Sequence, residues 1–372
     1  MTHRAGLAVI AALLVLALPA SAQVPTDEDG RDYLSWSRPG PYRAPLQTAF
    51  DVQSFGANQK LVTTYFFYWY DAATYREAQS RRNFDPYPFK PPNLDHISFR
   101  DPAWYLTEFR DMWLAGIDFV LPDYWGEPGQ YGRRVAPAPE LNYFATEGLP
   151  PMVEALDSMA AEGKPLKVGL FLDTTIMNDE DLTTERGKAI FYATIRNYFS
   201  RIPPRHWAAV GGRPVVWLYD AQRVARFDQS SFDYVYERFP RDFGGMRPYV
   251  VRESQWERTK NVDRDDLIHT EGLYAWGAAP FGFPSDPRYT IAQVGPGFSN
   301  RQFNRPGFIH TEREDGRYYE RQLQAAVESR RQVMAVETWN ELGEASGILE
   351  TVEFGRTYIE LTRKYADLFK RQ

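Results

Sequence analysis

Cysteine is absent from this chain of 372 residues. That excludes a disulfide scaffold, a thiol nucleophile and a thiolate metal site, and it leaves stability to a packed core. Histidine is scarce. Of the five, His3 lies at the very start, and His96, His206, His269 and His310 are scattered without a His-Glu-x-x-His or paired-His spacing, so no metal is expected. There is no Gly-x-Ser-x-Gly elbow, which counts against a serine esterase. Gly211-Gly212-Arg213-Pro214 precedes a strand instead of joining strand to helix, so it is a turn and neither a phosphate loop nor a dinucleotide fingerprint; no cofactor is implied. Positive charge is in deficit. The formal net charge is −6, which argues against nucleic acid and anionic membrane surfaces as partners.

Long apolar runs are confined to the N-terminus. Arg4, the short apolar run from Ala5 to Leu18 and the small-x-small site Ala20-Ser21-Ala22 read as a cleavable export signal, residues 1–22. The chain is therefore expected to be secreted or periplasmic, with a mature start at Gln23. No Cys follows the run, so a lipid anchor is not expected, and no later segment is apolar enough for a membrane span. Residues 23–60, rich in Pro, Gly and charge, read as an extended lead-in that wraps the domain.

From residue 61 to 372 short β-branched or aromatic runs alternate with helical stretches, the pattern of βα units around a parallel sheet. The runs are Leu61 to Tyr68, Ile117 to Pro122, Leu166 to Leu172, Val215 to Tyr219, Tyr249 to Arg252, Gly272 to Ala275, Thr290 to Val294 and Gln332 to Val336. Eight runs without a second compositional block define an α/β chain, a single (β/α)8 TIM barrel, with a seven-strand or open doubly wound sheet as the alternative. Helices are expected after Asp101-Pro102, over Pro150 to Glu162, Thr184 to Ser200, Ser230 to Phe239, Tyr318 to Arg331 and Thr351 to Lys370. Long βα loops, Ala72 to Arg100 and Glu127 to Gly148, would sit on the face where barrels place their active sites.

Aromatics are abundant, 15% of the chain with 10 Trp and 23 Tyr. They gather with acids where the runs end: Tyr68-Trp69-Tyr70-Asp71, Asp123-Tyr124-Trp125, Asp173, Tyr219-Asp220, Glu253 with Trp256, Tyr274-Ala275-Trp276 and Glu337-Thr338-Trp339-Asn340-Glu341. If strand ends were only polar caps, Trp would not recur. Carboxylates supply proton transfer or a nucleophile and indole faces stack on sugar rings, so the pattern points to a carbohydrate site and an oligo- or polysaccharide substrate. Glu341 and Glu344, three residues apart in one turn, are the candidate catalytic pair. Tyr68, Trp69, Asp123, Trp125, Asp173, Asp220, Trp276, Trp339 and Asn340 are candidate substrate contacts. Each has a plainer reading: Asp123 and Asp220 as helix caps or Arg partners, Asp173 as a turn former, Trp69 and Trp125 as core. Glu337 is expected to point into the barrel and to need an Arg or hydroxyl partner.

Four blocks in order resemble glycoside hydrolase family 99, the endo-α-mannosidase and endo-α-mannanase family. They are Tyr65-Phe66-Phe67-Tyr68-Trp69-Tyr70; Trp113 to Val120 with Tyr124-Trp125-Gly126; Gly212 to Asp220; and Trp339-Asn340-Glu341-Leu342-Gly343-Glu344-Ala345-Ser346. The resemblance implies a (β/α)8 barrel in which Glu341 acts on the substrate 2-hydroxyl, giving an anhydro-sugar, and Glu344 is the acid/base. Two departures fall at the sugar-contacting face. Leu342 and Gly343 stand where the family has an aromatic and a His, and Phe171-Leu172-Asp173 stands where it carries a His-x-Glu-Pro-type block. The sequence therefore implies a hydrolase of α-linked glycans, with a catalytically inactive carbohydrate-binding barrel as the rival.

Overall fold

The computed structural model describes residues 34–43, 52, 55–72, 89–128, 130, 143–303 and 307–372. The export signal, most of the lead-in and the tips of both long loops lie outside the described residues.

Eight parallel strands form the expected ring: β1 Leu61–Phe66, β2 Phe119–Tyr124, β3 Leu170–Leu172, β4 Arg213–Leu218, β5 Tyr249–Glu253, β6 Gly272–Tyr274, β7 Ile291–Val294 and β8 Val333–Val336. Neighbours in the order β6-β5-β4-β3-β2-β1-β8-β7 are joined by parallel ladders. Thr290 stitches the remaining gap: its N–H donates to the Leu273 carbonyl at 2.9 Å and its hydroxyl accepts from the Leu273 N–H at 3.0 Å. The barrel is thus nearly closed, and the open-sheet alternative does not apply. Gly211 and Gly212, both at positive φ, turn the short hairpin that leads into β4.

The helices pack outside: α1 Pro102–Leu114, α2 Leu149–Ala161, α3 Glu185–Arg201, α4 Gln229–Asp242, α5 Ala278–Phe281, α6 Arg317–Ser329 and α7 Thr357–Lys370. The anticipated start of α1 is present. The Asp101 carboxylate accepts from Ala103 N–H at 2.9 Å, satisfying a free donor of the first turn. Gly116 follows the helix at φ +81, a conformation that costs glycine little. The last helix is shorter than its sequence pattern. Thr351 to Gly355 closes into a turn, with Gly355 N–H bonded to Thr351 O at 2.8 Å, so α7 begins at Thr357. No full helix follows β5. A single turn, Ser254–Trp256, does the covering there, and Trp256 is buried against Phe227 and stacked on Phe191 of α3. Among the described residues no helix is long and apolar enough to cross a membrane.

Alternation along the strands decides what faces the axis. Tyr65 pairs with Leu121, Asp123 with Phe171, Phe171 with Trp217, Trp217 with Val251, and Glu253 with Tyr274. Paired residues of parallel strands share a face. Tyr65 meets Phe171 at 4.7 Å, Trp217 at 6.2 Å and Tyr274 at 6.3 Å between ring centroids, so this face is the interior. Aromatic rings fill it where barrels commonly use branched aliphatics. One step further along each strand, the same parity brings Asp173, Tyr219, Trp276 and Glu337 to the C-terminal rim.

Gly295 follows β7 directly beneath α5. A Cβ on Gly295 would lie 2.5 Å from the Ala279 Cα and 2.6 Å from its nitrogen. Gly295→Ala is expected to push α5 off the barrel and destabilise the fold by about 1–3 kcal/mol, the usual cost of overpacking; urea unfolding of the variant measures this.

Candidate active site

The rim acids sit in two environments. Glu337 and Glu253 are held by donors. Glu337 accepts from Gly277 N–H at 2.9 Å, Ala279 N–H at 3.1 Å and the Gln293 amide at 2.8 Å. The anticipated Arg or hydroxyl partner is therefore replaced by backbone and amide N–H groups. Burial still pushes Glu337 up to about 7, with these hydrogen bonds pulling the other way. Glu253 accepts from Gln255 N–H at 2.7 Å and from the Ser254 hydroxyl.

Asp123 differs. It is fully buried, and among the described residues neither carboxylate oxygen has a hydrogen-bond partner of normal geometry, and the residue caps no helix and pairs with no Arg. Burial, then the charges of Asp173 and Glu341, push it well above the usual carboxylate range; the Trp125 indole offsets little of this. Asp173 accepts from Thr175 N–H at 2.9 Å, the turn-forming role, while burial pushes it up to about 6. Asp220 is half-buried and turns its carboxylate onto Gln222 N–H; burial raises it too. Its turn role and its place beside Asp173 are both present.

Glu341 and Glu344 lie on the turn after β8. The turn is irregular and heavily tied. Glu341 N–H donates to the Thr338 hydroxyl at 2.9 Å, Ser346 N–H to the Glu341 carbonyl at 3.2 Å, and Ser299 N–H to the Glu344 carbonyl at 2.8 Å. Buried Arg313 donates to the carbonyls of Ala345 at 2.8 Å and Gly347 at 2.6 Å. Ala345 itself is left-handed, φ +52, which a Cβ disfavours, so these bonds hold the backbone where it would not rest alone. Burial, then Glu344 and then Asp173, raise Glu341 well above its ordinary range. The two acids thus feel each other, and Asp123 and Asp173 share their field.

Aromatics gather at the rim in two groups. Trp276 stacks on Phe171 at 5.9 Å and meets Tyr219 edge-on at 4.9 Å. Trp69 and Trp125, both half-buried, meet edge-on at 5.4 Å. A cavity of about 230 Å3 opens beside Trp276, lined by Tyr219, Phe281, Phe298, Glu337 and Glu344. Among the described residues no acid or His cluster has the arrangement of a metal centre.

Three anticipated contacts serve the fold instead. Trp339 is fully buried and presents no face to a ligand; its indole N–H donates to Glu108 on α1, which burial pushes up to about 7. Asn340 accepts from Phe67 N–H and donates to Phe67 O, both at 2.8 Å, extending the β1–β8 pairing with a side chain. Tyr68 is buried and donates to Ala145 O at 3.0 Å. A second cleft of about 320 Å3 runs along α1 by Trp104, Glu108 and Leu349, outside the barrel, and holds none of the strand-tip acids. Sequence reading missed Gln293 and Arg313. Gln293, an amide in the middle of an apolar strand, was a legible signal; Arg313 was one surface-looking Arg among many.

A (β/α)8 barrel with acids and indoles on its C-terminal rim is a glycosidase-like fold. The chain belongs to the family described as "Domain of unknown function (DUF5010)", which it matches over residues 47–372. No curated protein matches it. Among solved structures it is similar to the GH99 endo-α-mannosidase from Bacteroides thetaiotaomicron in complex with Bis-Tris-propane. The TM-score is 0.61 at 15% identity, over 84% of this chain and 98% of that one. Another structure of the GH99 endo-α-mannosidase from that organism gives 0.57 at 16%, over 83% and 97%. A protein titled glycoside hydrolase-like gives 0.58 at 14%, over 87% and 98%. These likenesses establish a GH99-like fold.

The raised acids make a pH prediction. A carboxyl whose folded pKa lies above its unfolded value binds more protons when folded, so its burial lowers stability as pH rises through that interval. Asp123→Asn removes this penalty. It is expected to raise the melting temperature at about pH 8 and to leave it unchanged near pH 3, where both states are protonated; calorimetry at the two pH values checks it.

Proposed function

We propose that this chain is an exported glycoside hydrolase that cleaves an α-linked glycan at the barrel mouth. The observation that carries the reading is the Glu341/Glu344 turn at that mouth, where Glu344 raises Glu341 and Glu344 lines a cavity with the Trp276 indole. Two carboxyls that cannot both ionise freely give one group holding a proton and one without, the division of labour that glycosidic cleavage needs. In this reading the single proton of the coupled pair, favoured on Glu341 at rest, reaches the leaving oxygen through Glu344, which then activates water. Glu341 acts as base or nucleophile on the opposite side of the reacting carbon. Trp276 and the Trp69–Trp125 pair offer platforms for sugar rings, and Asp220 a hydroxyl acceptor at the rim.

The experiment is a screen of the purified protein on α-glycans with product analysis. On any glycan it cleaves, Glu344→Gln and Glu341→Gln are each expected to lower kcat by about 10²–10⁴-fold, the usual contribution of a positioned acid or base. Unchanged kcat in both variants overturns the assignment. Buried Leu342 leaves no imidazole between the two acids, which favours one rival, a binding protein without turnover. Saturable glycan binding with no product at any pH would establish that rival.

The export half of the proposal rests on the N-terminal run. The intact mass of protein recovered outside the cytoplasm is expected to begin at Gln23; a mass retaining Met1 overturns it.

A further inference from the structure

The strand-tip acids lack something that acidic clusters normally have. Asp123, Asp173, Glu253, Glu337 and Glu341 all lie at or beyond the C-terminal ends of the barrel strands, yet among the described residues none of them forms an ion pair with Lys, Arg or His. The ion pairs among the described residues lie elsewhere, such as Arg201–Glu127, Arg356–Asp111 and Lys370–Asp118. Lys260 acts on Asp220 at the rim, and its ammonium is taken by the Ala221 and Gln222 carbonyls.

The acids are not equivalent. Glu337, Glu253 and Asp173 each accept protein hydrogen bonds. Asp123 accepts none of normal geometry, although it is wholly buried, and its main influences besides burial are the two carboxyls of Asp173 and Glu341. An aspartate in that position is costly to the fold. It sits at the interior parity of β2, paired with inward Phe171, so it is aimed into the site and not into the wall. The Trp125 indole lies against both Asp123 and Asp173.

We propose that the glycan recognised here carries a free amine, and that its ammonium seats between Asp123 and Asp173 against the Trp125 indole. The chemical class is an α-linked hexosamine that is not N-acylated. This deepens the glycosidase reading and rests on it. A neutral hydroxyl can donate one hydrogen bond to Asp123 but brings no charge that would let neighbouring acids ionise together. An ammonium brings three donors and a positive charge, which lets Asp123 and Asp173 both give up their protons and also attracts the indole face. N-acylation removes the charge and adds bulk, so the acylated sugar loses what the site offers.

The test is titration calorimetry of the signal-free chain in an amine-free phosphate buffer at about pH 7.5, above the pH at which Asp173 takes up its proton; there the ammonium displaces the proton that burial favours on Asp123. The probes are glucosamine, galactosamine and mannosamine, each beside its parent hexose and its N-acetyl form. At least one free amine is expected to bind about tenfold or more tightly than both of its neutral forms, the scale of one charge-assisted contact. That preference is expected to fade as pH falls through about 6, where Asp173 takes up its proton. Asp123→Asn and Asp173→Asn, both close in shape to the parent, are each expected to abolish the preference while circular dichroism shows an intact fold. Equal binding of the neutral sugars overturns the proposal, as does an amine preference that survives both substitutions. Should a neutral α-glycan be cleaved in a Glu344-dependent way with no amine preference, this inference fails and the glycosidase reading stands. An amine preference without turnover supports this inference and removes the hydrolytic reading.

Discussion

At the top of the barrel axis the Gln293 amide donates to Glu337 at 2.8 Å and to the Tyr65 hydroxyl at 2.9 Å. Glu337 in turn gathers the first N–H groups of α5. This polar knot is the constraint on which the site depends. It joins β1, β7, β8 and the loop after β6, the part of the ring where the β6–β7 seam rests on the Thr290 stitch instead of a ladder. A buried carboxyl with satisfied lone pairs is tolerable where an unsatisfied one is not. Because Glu337 is fixed, the turn that follows it starts from a defined point, and Glu341 and Glu344 inherit that definition.

The turn is then secured from both flanks. On one side Asn340 copies a strand's hydrogen bonds onto Phe67, and Trp339 reaches through to Glu108 of α1. On the other, Arg313 grips Ala345 and Gly347 from within a cage of Phe89, Phe354 and Tyr358 rings. A guanidinium is suited to this, since its donors are fixed in one plane and its faces tolerate aromatic contact. The consequence is electrostatic as much as geometric. Carboxyls that could relax toward solvent on a loose loop are held among apolar walls, where their charges repel and their protons are retained.

Much of the architecture was legible. The eight apolar runs, the Asp101-Pro102 helix start, the Gly116 stop and the Gly211-Gly212 turn all depend on local chemistry, and all stand where the chain's pattern puts them. The gathering of acids and indoles at strand ends was legible for the same reason. Individual roles were not. Trp339 and Trp69 look alike in sequence, both aromatic neighbours of strand-end polar residues. One is wholly buried and bonded to a helix, the other half-buried beside Trp125. The difference is the presence of α1 behind β8, a contact between residues 231 positions apart. Likewise the helical pattern from Thr351 ignored that Gly355 closes a tight turn before α7.

The sequence by itself determined the class of fold and the composition of the rim, because period, capping and turn chemistry act between residues a few positions apart. Tertiary structure alone decided which acids are countered and which are not. Asp173 and Asp123 each end a run, yet the first finds a backbone donor two residues away and the second finds further carboxyls and the Trp125 indole. That outcome is set by ring closure, which brings the tips of β2, β3 and β8 together across a medium that screens charge poorly.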